Sequence, residues 1–538
     1  MTLPSAPPSR AGTDGDVRIA AIDIGSNSIR QIIADVSPSG AIRVVDEMKA
    51  APRLGAGIHK TRELGDEAAD AAIAVLERMS SLATQLGAVR TRVVATSAVR
   101  EASNGDEWIA RVKKETGLRV TVLEGEDEAR LSFRSAQAHF DVGKGRAVVI
   151  DIGGGSLELA SSADGLVEHL ISLPLGAIRL TERYFQKGIT PKAIRKLRRK
   201  VRKRLRKELS ARDWLGAQVI GSGGTFTNLA GMVLARQGVS TARTVHGALV
   251  KRVELEHIVD YLVALSPSER AGVPGLNPAR SDIIVAGLAA VAEVMARLET
   301  KELIVSSYGI REGILLEVAR IAPRAADKGE ARERSVRELA ERSHYEQPHS
   351  RHVQKLALRL FDSIGTKLGC DPADRQTLSD AALLHDIGYH INYDKHHKHS
   401  YHLITHADLL GMTPAEQVVI ANVARYHRGS EPKKAHPNFG PLISEARKRV
   451  IRLAAILRVA DGFDRGHTGA VDDIRVRWLQ RALRLIAVPS PKASSIRLEL
   501  WGASKKSGLL SDVAGVPVEI VEPGGVTYTD ENDGSRAD

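Results

Sequence analysis

The sequence has very few cysteine and aromatic residues and no long apolar run. The single cysteine among 538 residues, Cys370, cannot form an internal disulfide and excludes a metal site built on several thiolates. Any metal must therefore be held by Asp, Glu or His. Aromatic residues make up only 4% of the chain, which disfavours nucleic acid as a partner because few rings can stack on bases. No stretch of about 18 residues is free of charge, so we expect no signal peptide, no membrane partner and a cytoplasmic location.

The formal charge of the chain is strongly positive, at +12. Such a charge indicates an anionic partner, although composition alone does not identify it. The length exceeds what one hydrophobic core usually accommodates, and 43% hydrophobic residues can fill several cores. We therefore expect several domains.

Two consecutive segments share one pattern, in which an apolar strand ends in Asp and Gly before a tight turn. The turns are DIGSNS at 23–28 and DIGGGS at 151–156, and both segments alternate strands and helices as α/β domains do. This internal repeat predicts two lobes that face each other across a cleft. The predicted organisation is a disordered tail (1–16), lobe I (17–145), lobe II (146–320), a partly helical connector (321–345), an all-α domain (346–470), a small β-containing region (471–525) and a disordered tail (526–538).

The β-containing region is predicted from three segments in which apolar residues alternate: IRVRWL, LRLIAV and SIRLELW.

The glycine-rich turns predict a phosphate site. Glycine lets the backbone turn sharply and direct N–H groups at an anion, and serine or asparagine side chains add further donors. A third turn of this kind is GSGGT at 221–225. The residues that we expect to contact phosphate are Gly25, Ser26, Asn27, Ser28, Gly153, Gly154, Gly155, Ser156, Gly223, Gly224 and Thr225.

Eight motifs along residues 17–320 resemble the Ppx/GppA family of exopolyphosphatases and guanosine pentaphosphate phosphohydrolases, in family order. They are DIGSNSIR (23–30), ATSAVREA (95–102), EGEDEA (124–129), DIGGGSLEL (151–159), LPLGAIRLTER (173–183), GSGGT (221–225), NPARSDIIVAG (277–287) and SYGIREG (307–313). The resemblance implies an α/β fold: a duplicated actin-like (ribonuclease H-like) two-lobed core. An all-α HD-type domain and a small β-containing tail would follow it.

The resemblance also implies roles for individual residues. Glu128 matches the catalytic Glu of the family and would act as the general base. Asp151 and Glu158 match its Mg²⁺-associated pair, with Asp23 as a partner through water. Arg100 is the preferred cation for the scissile phosphate, because its planar guanidinium suits two phosphate oxygens. Weaker candidates for this role are Arg30, Arg179 and Arg311.

The histidine-rich part of the chain suggests a second metal. His352, the pair His385 and Asp386, and Asp461 have the H…HD…D order of HD phosphohydrolases. Further histidines lie nearby, which together are enough for a two-metal site that activates water: His396, His397, His399, His402 and His427. His396 is the preferred additional ligand, with His427 as a further candidate. The alternative is a helical dimerisation or polymer-channel domain with surface histidines.

A basic segment bears on the substrate. The run from Lys192 to Lys207 has eleven Lys or Arg and no acid, with apolar residues at helical spacing. Such an amphipathic basic helix is either a track for a long polyanion or a solvated surface. The resemblance implies an Mg²⁺-dependent phosphoanhydride hydrolase, and a polymer track would favour inorganic polyphosphate as its substrate. We expect an exopolyphosphatase that releases orthophosphate from this polymer. The alternatives are a pppGpp 5′-phosphohydrolase and a non-catalytic phosphate sensor or polymer-binding adaptor. The resemblance further implies a homodimer.

Overall fold

The computed structural model describes residues 15–38, 40–210, 214–239, 245–321 and 328–528. The chain divides into two compact units, unit 1 (Met1–Val233 and Val245–Lys328) and unit 2 (Leu234–Thr244 and Gly329–Asp538). Most of each predicted disordered tail, residues 1–14 and 529–538, lies outside the described residues. Within the described ranges, no helix is both long enough and apolar enough to cross a membrane.

The first part of unit 1 is a five-stranded sheet with helices on its faces. The strand order is β3-β2-β1-β4-β5, with β1 antiparallel to β2 and parallel to β4. The elements are β1 (Val17–Ile24), β2 (Ile29–Val36), β3 (Ile42–Ala50), α1 (Ile58–Thr61), α2 (Asp66–Gln85), β4 (Arg90–Ala95), α3 (Ser97–Glu101), α4 (Gly105–Thr116), β5 (Val120–Val122) and α5 (Gly125–His139).

The second part of unit 1 repeats this topology with one additional strand. Its order is β10-β11-β9-β6-β7-β8, with β6 antiparallel to β7 and parallel to β9. The elements are β6 (Arg146–Ile152), β7 (Leu157–Ala163), β8 (Leu166–Leu173), α6 (Ala177–Tyr184), α7 (Pro191–Glu208), β9 (Gln218–Ser222), α8 (Gly224–Arg236), β10 (Ala248–Lys251), α9 (Arg252–Ala264), α10 (Pro267–Ala271), a 3₁₀ turn (Pro278–Arg280), α11 (Ile284–Arg297), β11 (Glu302–Val305) and α12 (Ile310–Val318).

Strand β1 is buried on both faces, which explains its nearly continuous apolar sequence. Ile22 and Ile24 belong to one core cluster with α2, whereas Ile19 and Ala21 belong to another with α12. A strand covered by helices on both sides has no polar face, so polar residues appear only near its two ends, with an aspartate near the carboxyl end. Asp23 occupies that place in β1, and Asp151 occupies it in β6.

Unit 2 is mainly helical and ends in a three-stranded sheet of order β12-β13-β14. Its elements are α13 (Lys328–Arg342), α14 (Gln347–Ile364), α15 (Asp374–Leu384), a 3₁₀ turn (Ile387–His390), α16 (His396–His406), α17 (Pro414–Arg425), α18 (Ser444–Gly462), β12 (Val471–Trp478), β13 (Leu483–Pro489), α19 (Arg497–Lys506), α20 (Gly508–Ala514) and β14 (Val518–Val521). An α/β core and a helical C-terminal region are thus present, as the sequence predicts. The individual domain boundaries stay predictions.

One predicted strand is wrong. The segment SIRLELW alternates apolar residues, but Arg497–Lys506 is helix α19. The helix approaches α18 closely: a Cβ at Gly502 would lie 2.5 Å from the Gly462 carbonyl oxygen. Gly462 and Gly502 have no side chains, so the two helices can pack closely at this contact. The alternation of Leu498 and Leu500 in the sequence gives no indication of this packing.

Candidate functional site

The two repeated turns have the same backbone geometry at equivalent ends of the two sheets. Gly25 N–H donates to the Ser28 carbonyl oxygen at 3.1 Å, and Gly153 N–H donates to that of Ser156 at 3.0 Å. Each turn closes a hairpin whose residues face each other in register. Asp23 lies opposite Arg30 in the first hairpin, and Asp151 lies opposite Glu158 in the second. The duplication therefore places a carboxylate at both turns and a cation at only one.

The turns contact each other through small residues. The hydroxyls of Ser26 and Ser97 are hydrogen-bonded at 2.9 Å. A Cβ at Gly155 would lie 2.3 Å from Ser97 Oγ, and one at Gly154 would lie 2.9 Å from Ser26 Cβ. The Gly155 carbonyl accepts a hydrogen bond from Arg179 Nε at 2.8 Å. Glycine is thus needed here because any side chain would separate the two turns.

The third glycine-rich turn fixes Asp151. Its Oδ2 accepts hydrogen bonds from Ser222 Oγ at 2.8 Å and Ser132 Oγ at 3.3 Å. Gly223 has a φ of +86°, and a Cβ there would lie 2.5 Å from Asp151 Oδ1. Only glycine satisfies both the left-handed backbone and the close approach to the carboxylate. One Asp151 oxygen is thus held by hydroxyls, and the other abuts a bare glycine.

A cleft of about 880 Å³, including its open mouth, lies over these turns. It brings together most of the residues that the sequence predicts for the site. Those lining it are Asp23, Gly25, Ser26, Asn27, Ser28, Glu128, Asp151, Gly153, Gly154, Ser156, Glu158, Gly223 and Gly224. Their roles in binding and catalysis stay predictions.

Two predicted phosphate contacts lie elsewhere. Thr225 is buried and lies against Gly287. A Cβ added at Gly287 would lie only 2.9 Å from Thr225 Cγ2. Thr225 faces α11, whereas Thr227 lines the cleft. Gly155 lies where the turns meet rather than on the cleft surface. Helical geometry explains why Thr227 lines the cleft and Thr225 does not, because side chains two residues apart at the start of α8 point in different directions.

Four buried or half-buried carboxyl groups lie at the cleft floor, and each has a pKa above its ordinary value. Burial raises the pKa of Asp23 to about 6 and that of Glu128 to about 7. Burial also raises the pKa of Asp151, although two serine hydroxyls counteract it. The pKa of Glu158 lies well above the ordinary value because of burial and the nearby Glu128 carboxylate. A cation at this floor would relieve the electrostatic cost of ionising them.

Arg100 contacts Glu128 in this structure. Its Nη1 lies 2.6 Å from Glu128 Oε1 and also donates to the Leu123 carbonyl oxygen. Because these contacts engage the guanidinium, Arg100 positions the Glu128 carboxylate and lowers its pKa. The predicted contact of Arg100 with the scissile phosphate stays a prediction.

Other cations face the cleft. Arg30, Arg280 and Arg311 line it, and burial is the largest factor that lowers the pKa values of Arg30 and Arg280. On the neighbouring strand β3, Lys49 lies opposite Arg30, and burial together with these three guanidinium groups lowers its pKa to about 8. Arg280 lies in the motif at 277–287 and Lys49 lies outside the eight motifs, and neither is among the cations predicted from the sequence. The three arginines that line the cleft give it a positive surface that suits an anion.

Unit 2 contains a buried cluster of imidazoles and carboxylates, called here the His–Asp cluster. It comprises His349, His385, Asp386, His396, His427 and Asp461. Five of these six were predicted from the sequence.

The assignment of His352 to the cluster is corrected. His352 Nε2 lies 2.8 Å from the Val471 carbonyl oxygen, whereas His349, one helical turn earlier on α14, contacts Asp386 and Asp461. The motif pattern fixes the spacing of the later residues but not which turn of α14 faces them.

Comparisons with known proteins agree with this architecture. The model of the Ppx/GppA phosphatase family matches residues 32–321, which is more than half of the chain. The chain belongs to the Ppx/GppA phosphatase family. A second model, Ppx/GppA phosphatase domain III, matches residues 331–485. Membership in this family confirms the predicted phosphatase.

Individual Ppx/GppA relatives carry two kinds of name. The chain is 26% identical over 448 residues to a guanosine-5′-triphosphate,3′-diphosphate pyrophosphatase of Pseudoalteromonas atlantica, covering 82% of this chain and 86% of the relative. The crystal structure of the Aquifex aeolicus member of the Ppx/GppA family is 30% identical, with a TM-score of 0.50 over 57% of this chain and 98% of that one. An exopolyphosphatase from Cytophaga hutchinsonii is 25% identical, with a TM-score of 0.51 over 57% of this chain and 99% of that one.

Proposed function

We propose that unit 1 hydrolyses the terminal phosphoanhydride bond of inorganic polyphosphate and releases orthophosphate. The observation that carries the proposal is Glu128, a buried carboxyl group with a pKa of about 7 that lines a cleft between glycine-rich turns and arginine side chains. A general base works best when its pKa lies near the working pH. In this position it can take a proton from water that attacks the terminal phosphorus.

We propose Mg²⁺ as the cofactor of this cleft, held by Asp151 and Glu158 with Asp23 through water. The donor set suits a hard cation, because all three are carboxylates. Asp23 Oδ1 is buried and receives no hydrogen bond from the described residues, as expected for an atom that serves a cation or its water. Bound Mg²⁺ would supply charge neutralisation at the phosphate oxygens.

The residues of the chain would divide the reaction as follows. The glycine-rich turns hold the terminal phosphate, and Glu128 removes a proton from the attacking water. The water oxygen forms a new bond to phosphorus while the anhydride P–O bond breaks, and the shortened polymer leaves with its electron pair. Arg30, Arg280 and Arg311 offset the charge on the following phosphates, while Arg100 holds Glu128 in place.

Helix α7 favours a polymer over a nucleotide. Its apolar residues Ile194, Leu197, Val201 and Leu205 are buried, so its basic face is turned to solvent. Arg202 and Arg198 pair with Glu293 and Glu256, but most other basic residues of the helix are exposed. Such a surface adds affinity for each phosphate that it neutralises, which benefits a long chain and not a single triphosphate. The alternative substrate, pppGpp, is favoured by the name of the Pseudoalteromonas relative.

The experiment compares orthophosphate release from long-chain polyphosphate, short-chain polyphosphate and pppGpp. A triple variant of α7, with Lys196, Lys200 and Lys203 changed to Gln, removes three exposed charges. We expect KM for long chains to rise about tenfold or more at low salt, with KM for short chains unchanged. A control with Lys113 and Lys114 on α4 changed to Gln should leave both unchanged. Turnover of pppGpp with none of polyphosphate would replace the proposed substrate.

We propose that the two sheets of unit 1 form actin-like lobes, on the basis of their repeated topology. We propose that the helical part of unit 2 is of HD type, on the basis of the His385 and Asp386 pair within the His–Asp cluster. The single half-buried cysteine, Cys370, suits a reducing, cytoplasmic compartment. The homodimer stays a prediction, for which the molar mass in solution is the test.

A further inference from the structure

Arg53 has an unusual backbone conformation for a residue with a side chain. Its φ is +56°, in the left-handed region that favours glycine. The two residues that follow hold this conformation: Leu54 is fully buried in the core cluster with α2, and Gly55 N–H donates to the Ser26 carbonyl oxygen at 2.8 Å. Glycine would adopt this φ without strain, so the strain at Arg53 indicates that the arginine side chain has a function.

The Arg53 guanidinium reaches from the first part of unit 1 to the second. Its Nη1 donates to Asp282 Oδ2 at 2.9 Å, and its Nη2 donates to Asp282 Oδ1 at 3.4 Å. Nη2 also donates to the Ala279 carbonyl oxygen at 3.2 Å. An exposed ion pair with a single contact contributes little, but a planar guanidinium that contacts three acceptor atoms fixes the orientation of the segment that carries them.

Arg280 lies within the segment that Arg53 contacts, and it is one of the three arginines that line the cleft. Its side chain is buried against Gly224 of the third glycine-rich turn, where a side chain would collide with Arg280 Cζ. The same segment is held from within the second part of unit 1, because Asn277 N–H donates to Asn228 Oδ1 at 2.6 Å. The backbone on both sides of Arg280 is therefore fixed, on one side by Asn228 and on the other by Arg53.

We propose that Arg53 is a positioning residue that sets the affinity of the cleft for phosphate by fixing Arg280 over the third glycine-rich turn. The inference rests on the proposed hydrolysis of polyphosphate in this cleft. Arg280 offsets the charge on the phosphates that follow the terminal one, so its position determines binding of the polymer rather than the rate of bond cleavage. The base Glu128 is positioned separately, by Arg100. Loss of Arg53 should therefore raise KM and leave kcat nearly unchanged.

The first test is the steady-state kinetics of phosphate release from long-chain polyphosphate. Arg53→Gln and Asp282→Asn should each raise KM about fivefold, with kcat within about twofold of wild type. Arg53→Lys keeps the charge but loses the planar fork, so it should raise KM by less. Arg62→Gln is the matched control and should leave KM unchanged, since Arg62 is another exposed arginine with a positive φ, of +64°. An unchanged KM in Arg53→Gln, or an equal rise in Arg62→Gln, would overturn the proposal.

The second test separates the Arg53 side chain from the strain of its backbone. Arg53→Gly removes both, so it should unfold at the wild-type temperature or above and still raise KM as Arg53→Gln does. A wild-type KM in Arg53→Gly would show that the guanidinium is dispensable and would overturn the proposal.

The third test asks whether Arg53 acts through Arg280. Arg280→Gln should raise KM more than Arg53→Gln does, and combining the two changes should cause no further rise, because the residue that Arg53 positions is already lost. If the combined variant instead showed the product of the two single effects, Arg53 would act independently of Arg280, and the positioning role would be wrong.

A binding measurement distinguishes failure of this inference from failure of the proposed function. Calorimetric titration of Glu128→Gln with tripolyphosphate gives Kd without turnover, and adding Arg53→Gln should raise this Kd about fivefold. If wild type released no phosphate from polyphosphate but Arg53→Gln still weakened tripolyphosphate binding, only the proposed substrate would fail. If wild type hydrolysed polyphosphate and the two Kd values were equal, the positioning role would be overturned and the proposed function would stand. Binding of tripolyphosphate by neither protein would overturn both.

Discussion

Replacing Arg100 with Gln should shift the pH dependence of phosphate release towards alkaline pH. Glu128 has a pKa of about 7, because burial raises it and the Arg100 guanidinium, 2.6 Å away, opposes that rise. Losing the cation leaves burial and the neighbouring carboxylates of Asp23 and Asp151 unopposed. The variant should therefore hold the Glu128 proton to higher pH, where the protonated carboxyl group cannot act as a base.

The size of the expected pKa shift of Glu128 follows from its contact with the Arg100 guanidinium. An adjacent guanidinium usually lowers a carboxyl pKa by about 1–3. The Arg100 side chain is 19% exposed, so the lower part of this range, about 1–2, is appropriate. The pKa of Glu128 would then rise to about 8–9, and the ionised fraction at pH 7 would fall from about one half to between roughly 0.1 and 0.01. We expect kcat/KM at pH 7 to fall about 5-fold to 50-fold and to recover at alkaline pH.

The assay is kcat/KM for phosphate release between pH 5.5 and 9.5 at one fixed Mg²⁺ concentration, and the readout is the displacement of the variant's pH profile from that of wild type, because bound Mg²⁺ would move both profiles. Arg100→Lys keeps the charge and should show a smaller displacement of the acidic limb, and Arg119→Gln, which changes an exposed arginine, should show none. If Arg100→Gln lowered kcat/KM equally at every pH, the positioning role would be refuted. That result would instead favour a direct contact between Arg100 and the scissile phosphate.

Three further predictions concern the same cleft. Glu128→Gln should raise the free energy of unfolding of unit 1 by up to about 3 kcal/mol at pH 8 and leave it unchanged at pH 4.5, as measured by urea unfolding. The folded pKa of about 7 exceeds the ordinary value of 4.5, so ionising Glu128 destabilises the folded state increasingly as pH rises between these two values. Gly223→Ala and Gly216→Ala should each lose about 1–2 kcal/mol from left-handed backbone strain, but only Gly223→Ala should lose most activity, since only its Cβ meets Asp151. Asp151→Asn should need at least tenfold more Mg²⁺ for half-maximal activity, and an unchanged Mg²⁺ titration would exclude Asp151 as a ligand.

Local sequence signals located the turns of the cleft, because their geometry depends on a few adjacent residues. An apolar strand that ends in an acidic residue followed by glycine predicts both the hairpin turn and the carboxylate beside it, as at Asp23 and Asp151. Lys49 and Arg280 were not found in this way. Lys49 lies beside Arg30 because β3 pairs with β2, and Arg280 lies before α11, so their positions depend on tertiary packing.

The unit 2 errors have a similar origin. His352 and His349 lie on one helix one turn apart, and only packing of α14 decides which of them faces Asp386. For SIRLELW, alternation of apolar residues favoured a strand, but close packing at Gly462 and Gly502 accompanies a helix. In both cases a local pattern permits two structures, and contacts distant in sequence select one.

The most direct test of the account is a single-turnover measurement of orthophosphate release from polyphosphate by wild type and Glu128→Gln in Mg²⁺. Glutamine keeps the shape of the side chain but cannot accept the proton of the attacking water. We predict that Glu128→Gln binds polyphosphate within about threefold of the wild-type affinity and releases phosphate at least 100-fold more slowly. Release at the wild-type rate by the variant would show that Glu128 is not the base and would contradict the proposed mechanism.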